Sequence, residues 1–357
     1  MASNPTRLQR SIGGLLGAHA GDSLGATFEF QSYAEIKKSY PTGLREIVGG
    51  GIFQFPVGAA TDDTDMTRGV LLAYYHHLIP KESRQQQLLD DDSQSGSAVI
   101  DSHDVVKLAA QYFLNWLNGD WPGRQKGGRP VDIGGATLAG LLKLNGIENL
   151  DQAGAGIGQA GNGSLMRCIP TGIFQACRAE MMEQSMRISA ITHNDARCTI
   201  SCAAYNTIVY ALLREKSPRE AIDEALQAAK SLEESCDQDT GRAVEKAIRL
   251  GLTLSTADMA TNGPKELQGK AKGYVLESLS IAVAALIDTR PLEDILVDVV
   301  RIGGDTDTNA AIAGGLLGVR DGVDAIPLRW RETLQFHQEF ERIGSLLVEA
   351  TKNSYCE

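Results

Sequence analysis

Arg7-Leu-Gln-Arg-Ser-Ile-Gly-Gly-Leu-Leu-Gly-Ala-His-Ala20 places Leu8, Ile12, Leu15, Leu16 and His19 on one face when wound as an α-helix. Its centre, Ile12-Gly-Gly-Leu-Leu-Gly17, has an echo in Ala313-Gly-Gly-Leu-Leu-Gly318. Small residues on both faces predict two closely packed helices, not a repeat of domain size. The same spacing of apolar residues at three or four recurs in 66–78, 105–117, 136–144, 181–191 and 199–213. It continues in 219–232, 242–254, 275–287, 292–302 and 331–348. Pro218 and Pro291 punctuate two of the helix starts. Only 44–48 and 52–55 are strand-like. The chain is therefore expected to be all-α, with more than ten helices.

No Pro/Ser/Gly-rich linker divides these helices, so a single domain over 1–357 is expected. The polar stretch 81–103, with Gln85-Gln-Gln87 and Asp90-Asp-Asp92, is expected to be a flexible loop insertion. With 34 Lys+Arg against 45 Asp+Glu the net charge is −11, and no basic block offers a footprint for nucleic acid. No apolar run approaches the roughly 18–20 residues that span a bilayer. Six scattered cysteines without a CxxC pair imply reduced thiols and a cytoplasmic chain.

The densest chemistry lies in Thr61-Asp62-Asp63-Thr64-Asp65. Three carboxylates in five residues repel one another unless cations, protons or a helix end compensate. Carboxylate and hydroxyl oxygens are the ligands hard divalent cations take. An N-cap for the following helix explains one or two such residues, not all of them. A second cluster, Gly303-Gly304-Asp305-Thr306-Asp307-Thr308, lies about 240 residues further on. One Asp could again be a cap, but two Thr/Asp clusters of this form point to a shared two-cation centre.

Other strings weigh less. Gly21-Asp22-Ser23-Leu24 matches an esterase signature, but a helical segment precedes it and no Asp-x-x-His follows. Gly156-Ile-Gly-Gln-Ala-Gly161 fits GxGxxG without the preceding strand that a dinucleotide fold requires. Gly161-Asn162-Gly163-Ser164 can offer backbone N–H groups to an anion such as diphosphate, or be a simple capped loop. His193, flanked by Asn194 and Asp195, is a candidate site residue, whereas His19 on an apolar face belongs to the core. Glu29 lies between Phe28 and Phe30, where burial would raise its pKa; a surface position is the alternative.

Taken in order, Ile12 to Glu29, Thr61-Asp-Asp-Thr-Asp-Met66, Gly161-Asn-Gly-Ser-Leu-Met-Arg167, Thr192-His193 and Gly303-Gly-Asp-Thr-Asp-Thr-Asn309 resemble the ADP-ribosylglycohydrolase family. Gly25-Ala-Thr-Phe-Glu29 and Val131-Asp132-Ile133-Gly134 look nearest to the branch that includes dinitrogenase reductase-activating glycohydrolase. The resemblance implies a compact orthogonal helical bundle around a binuclear centre of two Mg²⁺ or Mn²⁺. Thr61, Asp62, Asp63, Asp305, Asp307 and Thr308 would be its ligands, and Glu29 its mobile carboxylate. Gly161, Asn162, Gly163 and Ser164 would hold the diphosphate, with His193 beside the distal ribose. Asp132 would meet the leaving group. The implied activity is hydrolysis of the bond between ADP-ribose and a protein side chain, arginine first, with Glu29, Asp62 or Asp63 accepting the proton. Alternatives are serine-linked ADP-ribose, poly-ADP-ribose and O-acetyl-ADP-ribose, or a binding protein on the same fold. Asp65 departs from the small or polar residue usual at its position, which bears on substrate preference. Partners would be ADP-ribosylated proteins or ADP-ribose-containing small molecules, met by a monomer.

Overall fold

A computed structural model describes residues 4–81, 83, 102–144 and 149–352. Among these residues there are sixteen α-helices and no sheet. In chain order they are α1 (Arg7–Gly25), α2 (Tyr33–Ser39), α3 (Asp62–Leu78), α4 (Val105–Leu117), α5 (Gly135–Lys143) and α6 (Ile169–Phe174). Then come α7 (Arg178–Ala190), α8 (Ala196–Leu212), α9 (Pro218–Ser235), α10 (Ala243–Gly251) and α11 (Thr256–Asn262). The last are α12 (Val275–Ile287), α13 (Leu292–Arg301), α14 (Thr306–Asp321), α15 (Leu328–Arg331) and α16 (His337–Ala350). Most of the stretch 81–103 falls outside the described residues. Among the described residues, no helix is long and apolar enough to cross a membrane.

The two ends of the chain meet in one antiparallel helix pair. Gly13, Gly17, Gly21 and Gly25 recur every fourth residue on α1 and face α14. A Cβ built on them would lie 2.3, 2.3, 2.0 and 2.4 Å from the carbonyl oxygens of Gly318, Gly314, Ala310 and Thr306. No side chain fits in that seam, so the backbones approach as closely as glycine permits. The echoed strings are thus two faces of one contact. It brings the C-terminal end of α1 to the N-terminal end of α14, where the second acidic cluster begins.

One continuous apolar cluster, from Ile12 on α1 to Leu347 on α16, surrounds this pair. The long helix α8 is buried on every face, all of its residues except Arg197 being buried. At the surface α9 begins with the capping box Ser217/Glu220 and Pro218 in its first turn.

Two expectations are corrected. The strand-like 44–48 and 52–55 form a loop closed by a single bridge, Gly50 to Phe55. Gly49, Gly50 and Gly51 all have positive φ, which prevents continuous extension there. The helix expected over 331–348 is broken into α15 and α16. Gln335 donates its N–H to Gly58 O and accepts from Ala60 N, so tertiary bonds replace the helical ladder between them.

Candidate functional site

Asp22 anchors the first acidic cluster. Fully buried on α1, its Oδ2 accepts from Thr61 N at 3.1 Å, Thr64 N at 3.3 Å and the Thr64 hydroxyl. Thr61 is the N-cap of α3, with its hydroxyl accepting from Asp63 N. Capping therefore explains Thr61, while Asp62 and Asp63 project from the first turn. The second cluster enters α14 in the same way. Asp305 is the N-cap, and its N–H donates to Ala271 O. Thr308 Oγ1 donates to Asp63 Oδ2 at 3.2 Å, which joins the clusters.

Glu29 arrives from the loop after α1. Phe30 N donates to Gly304 O, and Gly304 N to Gln31 O, both at 2.8 Å. Gly304, with φ +84°, has no room for a Cβ against Ala271 O. This pinning leaves Glu29, Asp305 and Asp307 each with a carboxylate oxygen within 4.8 Å of the other two.

The electrostatics are unfavourable without a cation. Burial, then neighbouring carboxylates, pushes Asp62, Asp63 and Asp307 well above the usual carboxylate range. Burial together with Asp132, Asp305 and Asp22 pushes Glu29 up to about 8. Glu29 Oε2, Asp63 Oδ1 and Asp22 Oδ1 are buried without a hydrogen-bond partner. Orphaned oxygens of this kind, with two threonine hydroxyls beside them, form an oxygen-only donor set that suits Mg²⁺ or Mn²⁺. The residues present therefore fit divalent cations.

A cavity of about 610 Å³ opens over this cluster, lined by Glu29, Asp62, Asp305, Asp307 and Thr308. Gly161, Asn162, Gly163 and His193 also line it. A Cβ on Gly163 would come within 3.0 Å of both the His193 ring and Thr137, so glycine lets the turn approach the imidazole. Burial, then Arg167, lowers His193 to about 3, leaving a neutral ring at physiological pH. Two residues of the turn are placed differently from the simple anion-loop expectation. Asn162 gives its N–H to Gly273 O and its side-chain amide to Asp305 Oδ2 at 2.8 Å, so it positions a carboxylate. Ser164 is turned into the core, accepting from Ser189 Oγ at 2.8 Å, and a turn rather than a helix follows it.

Asp132 lines the cavity with its Oδ2 buried and unpartnered, and burial, Asp22 and Asp305 raise it to about 7. Asp65 does not join the cluster: Trp116 and Trp121 donate their indole N–H groups to it at 2.9 and 2.7 Å. The esterase-like Ser23 is closed off at 2 % exposure, bonded to Ala59 O.

Two contributors carried no role in the sequence. Asp22 was visible only as part of the esterase-like string. Arg167, the last residue of the turn motif, is wholly buried, donating to Gly163 O and to Thr192 Oγ1 and stacking 4.6 Å over Phe113. It places a fixed positive charge beneath the turn.

Known proteins resemble this chain over nearly its whole length. The ADP-ribosylglycohydrolase family model matches residues 3–356. The chain is 26% identical over 341 residues to ADP-ribosyl-[dinitrogen reductase] glycohydrolase of Rhodospirillum rubrum, covering 95% of each. It is 24% identical to ADP-ribosylarginine hydrolase Tri1 of Pseudomonas putida, over 96% of this chain and 78% of that protein. Against ADP-ribosylhydrolase ARH3 of Danio rerio identity is 23%, over 98% and 91%. A solved structure titled ADP-ribosylglycohydrolase-related protein complex superposes with a TM-score of 0.67 at 24% identity, covering 97% of this chain and 99% of that one. A family match over residues 3–356 makes this protein a member of the ADP-ribosylglycohydrolase family, hydrolases that act on ADP-ribose linkages.

Proposed function

We propose that this protein is a divalent-cation-dependent hydrolase that cleaves the N-glycosidic bond between ADP-ribose and an arginine side chain of a protein. The observation that carries it is the convergence of two acidic clusters in a cavity also lined by the Gly161–Gly163 turn and His193. One relative, named an ADP-ribosylarginine hydrolase, supports the arginine linkage, and another, named for ADP-ribosyl-dinitrogen reductase, supports a protein substrate. Asp132, an unpartnered carboxylate at the cavity wall, suits a cationic leaving group.

Thr61, Asp62, Asp63, Asp305, Asp307 and Thr308 would hold two Mg²⁺ or Mn²⁺ ions, with Glu29 at their open side. Bound there, such ions supply Lewis acidity toward ribose hydroxyls and lower the pKa of water. The turn and the Arg167 charge beneath it hold the diphosphate, and the neutral His193 faces the distal ribose. The oxygen of the attacking water bonds to the anomeric carbon while the carbon–nitrogen bond breaks, its electron pair leaving with the guanidine nitrogen. Glu29, Asp62 or Asp63 takes the water proton, which is finally delivered to the departing guanidine. The chain acts as one domain and as a monomer. The cytoplasm suits its five described cysteines, all free thiols.

The test offers arginine-linked, serine-linked and acetyl-linked ADP-ribose with Mg²⁺ or Mn²⁺, then with EDTA, and measures free ADP-ribose. Release from the arginine-linked substrate, abolished by EDTA, is expected. Faster release from serine or acetyl linkages would transfer the activity to an O-glycosidic bond. No release from any of them would leave a binding protein on this fold.

A further inference from the structure

A second cavity, about 650 Å³, lies on the other side of Asp62 and Asp132. It shares Asp62, Val131 and Asp132 with the first, so the two meet at the acidic centre. Its walls are the segment Phe55–Val57 and the loop 122–130, and Asp65 and the Trp116 ring line its interior. Asp62 and Asp65 lie one turn apart on α3, a spacing that puts side chains on the same face. Asp65 is held rigidly, one indole N–H to each carboxylate oxygen. A carboxylate oxygen has two lone pairs, so each retains acceptor capacity. At the junction Asp62 is only 8 % exposed, and Asp132 Oδ2 is buried with no partner.

The cavity contains cations of its own, and their placement matters. Arg124 is tied back to Trp116 O at 2.7 Å and to Gly128 O, so it staples the loop 122–130 to α4. Arg129 lies at the exposed rim. The junction and Asp65 supply carboxylates, the segment Phe55–Val57 is the apolar wall, and the loop 122–130 adds Pro122, Gln125 and Pro130.

Hydrolysis at an anomeric carbon produces two fragments, which must occupy different spaces around the reacting bond. With ADP-ribose in the first cavity, against the turn, a departing group beside Asp62 and Asp132 lies where the second cavity begins. We propose that the second cavity is the acceptor subsite, taking a guanidinium-bearing side chain, and that Asp65 selects for its positive charge. This rests on the hydrolase reading given above and adds the place and the chemistry of the leaving group. Asp65 acts on preference by orienting the cation, while Asp62 and Asp132 meet it nearer the bond.

Agmatine is the probe, added to the Mg²⁺-loaded protein. Trp116 and Trp121, two of the three tryptophans, are bonded to Asp65, so intrinsic emission reports on the subsite. A saturable change with agmatine is expected, also with butylguanidine, whose only cation is the guanidinium, and none with butylurea, the neutral isostere of butylguanidine. Asp65→Asn should weaken the agmatine response at least tenfold. Because that variant also disturbs an indole bond and could affect folding, Val57→Arg is the second: Val57 is 55 % exposed, lines the cavity and is not one of Asp65's hydrogen-bond donors. It should weaken agmatine at least fivefold. In turnover, both variants should lower kcat/KM for ADP-ribosyl-agmatine at least fivefold relative to O-acetyl-ADP-ribose. Unchanged titrations in both variants, equal binding of butylurea, or an unmoved substrate ratio would overturn the assignment. If the wild type releases ADP-ribose from no substrate, the hydrolase reading fails and the titrations alone decide the subsite; if it turns over normally while variants and wild type match, only the subsite fails.

Discussion

Thr308 Oγ1 donates to Asp63 Oδ2 at 3.2 Å, a hydrogen bond between residues 245 positions apart. It joins the N-terminal turns of α3 and α14, so each acidic cluster is completed by the other. Neither helix end carries the centre alone.

Asp63→Asn and Asp307→Asn should each abolish ADP-ribose release, by at least a hundredfold in kcat/KM, without unfolding the protein. Each also removes one member of a mutually repelling buried set, so the metal-free variant should melt higher than metal-free wild type, by roughly 2–4 °C per kcal/mol relieved. Calorimetric titration with Mn²⁺ and melting curves in EDTA check both halves. A variant that still bound both ions with wild-type affinity would exclude that carboxylate from the ligand set.

In EDTA, stability should fall as pH rises. Glu29 is raised to about 8 and Asp132 to about 7, so between about pH 4 and 8 the native state holds protons that the unfolded chain has lost. Stability contributed by these protons is full below the unfolded pKa and lost as pH climbs through the folded values. The Tm of metal-free protein should therefore decline from pH 6 to pH 9. Saturating Mg²⁺ or Mn²⁺ should remove most of that decline, and cation affinity should rise with pH as fewer protons compete. Parallel melting curves with and without metal would contradict this.

Asp22→Ala strands two backbone N–H groups and a hydroxyl in the core. Unsatisfied buried donors cost about 1–3 kcal/mol each, partly offset by removing a buried carboxylate from an acidic site. A net loss of about 2–4 kcal/mol in urea unfolding is expected. Mn²⁺ affinity should fall as well, because the turn that presents Asp62 and Asp63 loses its anchor. Asp22→Asn keeps one acceptor and should recover part of the stability but less of the affinity.

Gly17→Ala should destabilise by at least about 1–3 kcal/mol, the range for overpacking, since its Cβ would lie 2.3 Å from Gly314 O. Gly135→Ala, at a helix start with nothing within 4 Å of the new carbon, should be neutral or slightly stabilising. Thermal unfolding of the pair separates seam packing from a general effect of adding a methyl group.

Much of this fold is legible because helices announce themselves locally. The expected bounds 105–117 and 275–287 coincide with α4 and α12, where apolar periodicity and flanking residues agree. The short helices α2, α6 and α11 span too few turns for periodicity to register, and α15 was merged with α16 because the break is made by Gln335 bonding to a distant loop. The acidic residues of the site were legible as types in a spacing. Their orientations were not: Asp65 belongs to the same string as Asp62 and Asp63 but turns toward two indoles supplied by α4 and the loop after it. Asp22 escaped notice because its partners, Thr61 and Thr64, are set by the packing of α1 against α3, which no local pattern encodes.

The glycine seam also sets an order of events during synthesis. Its register pairs Gly25 with Thr306, whose hydroxyl donates to the Gly25 carbonyl across 281 residues of sequence. Contacts that distant form late, since the intervening chain must be made and collapsed before they contribute. A nascent chain that has not yet produced α14 holds α1 with its bare glycine face uncovered and only half of the acidic donors. The joined acidic cluster is therefore a product of completed folding, not its nucleus. A chain whose synthesis stops before Asp305 carries Asp62 and Asp63 but lacks Asp305, Asp307 and Thr308, the other half of the cluster.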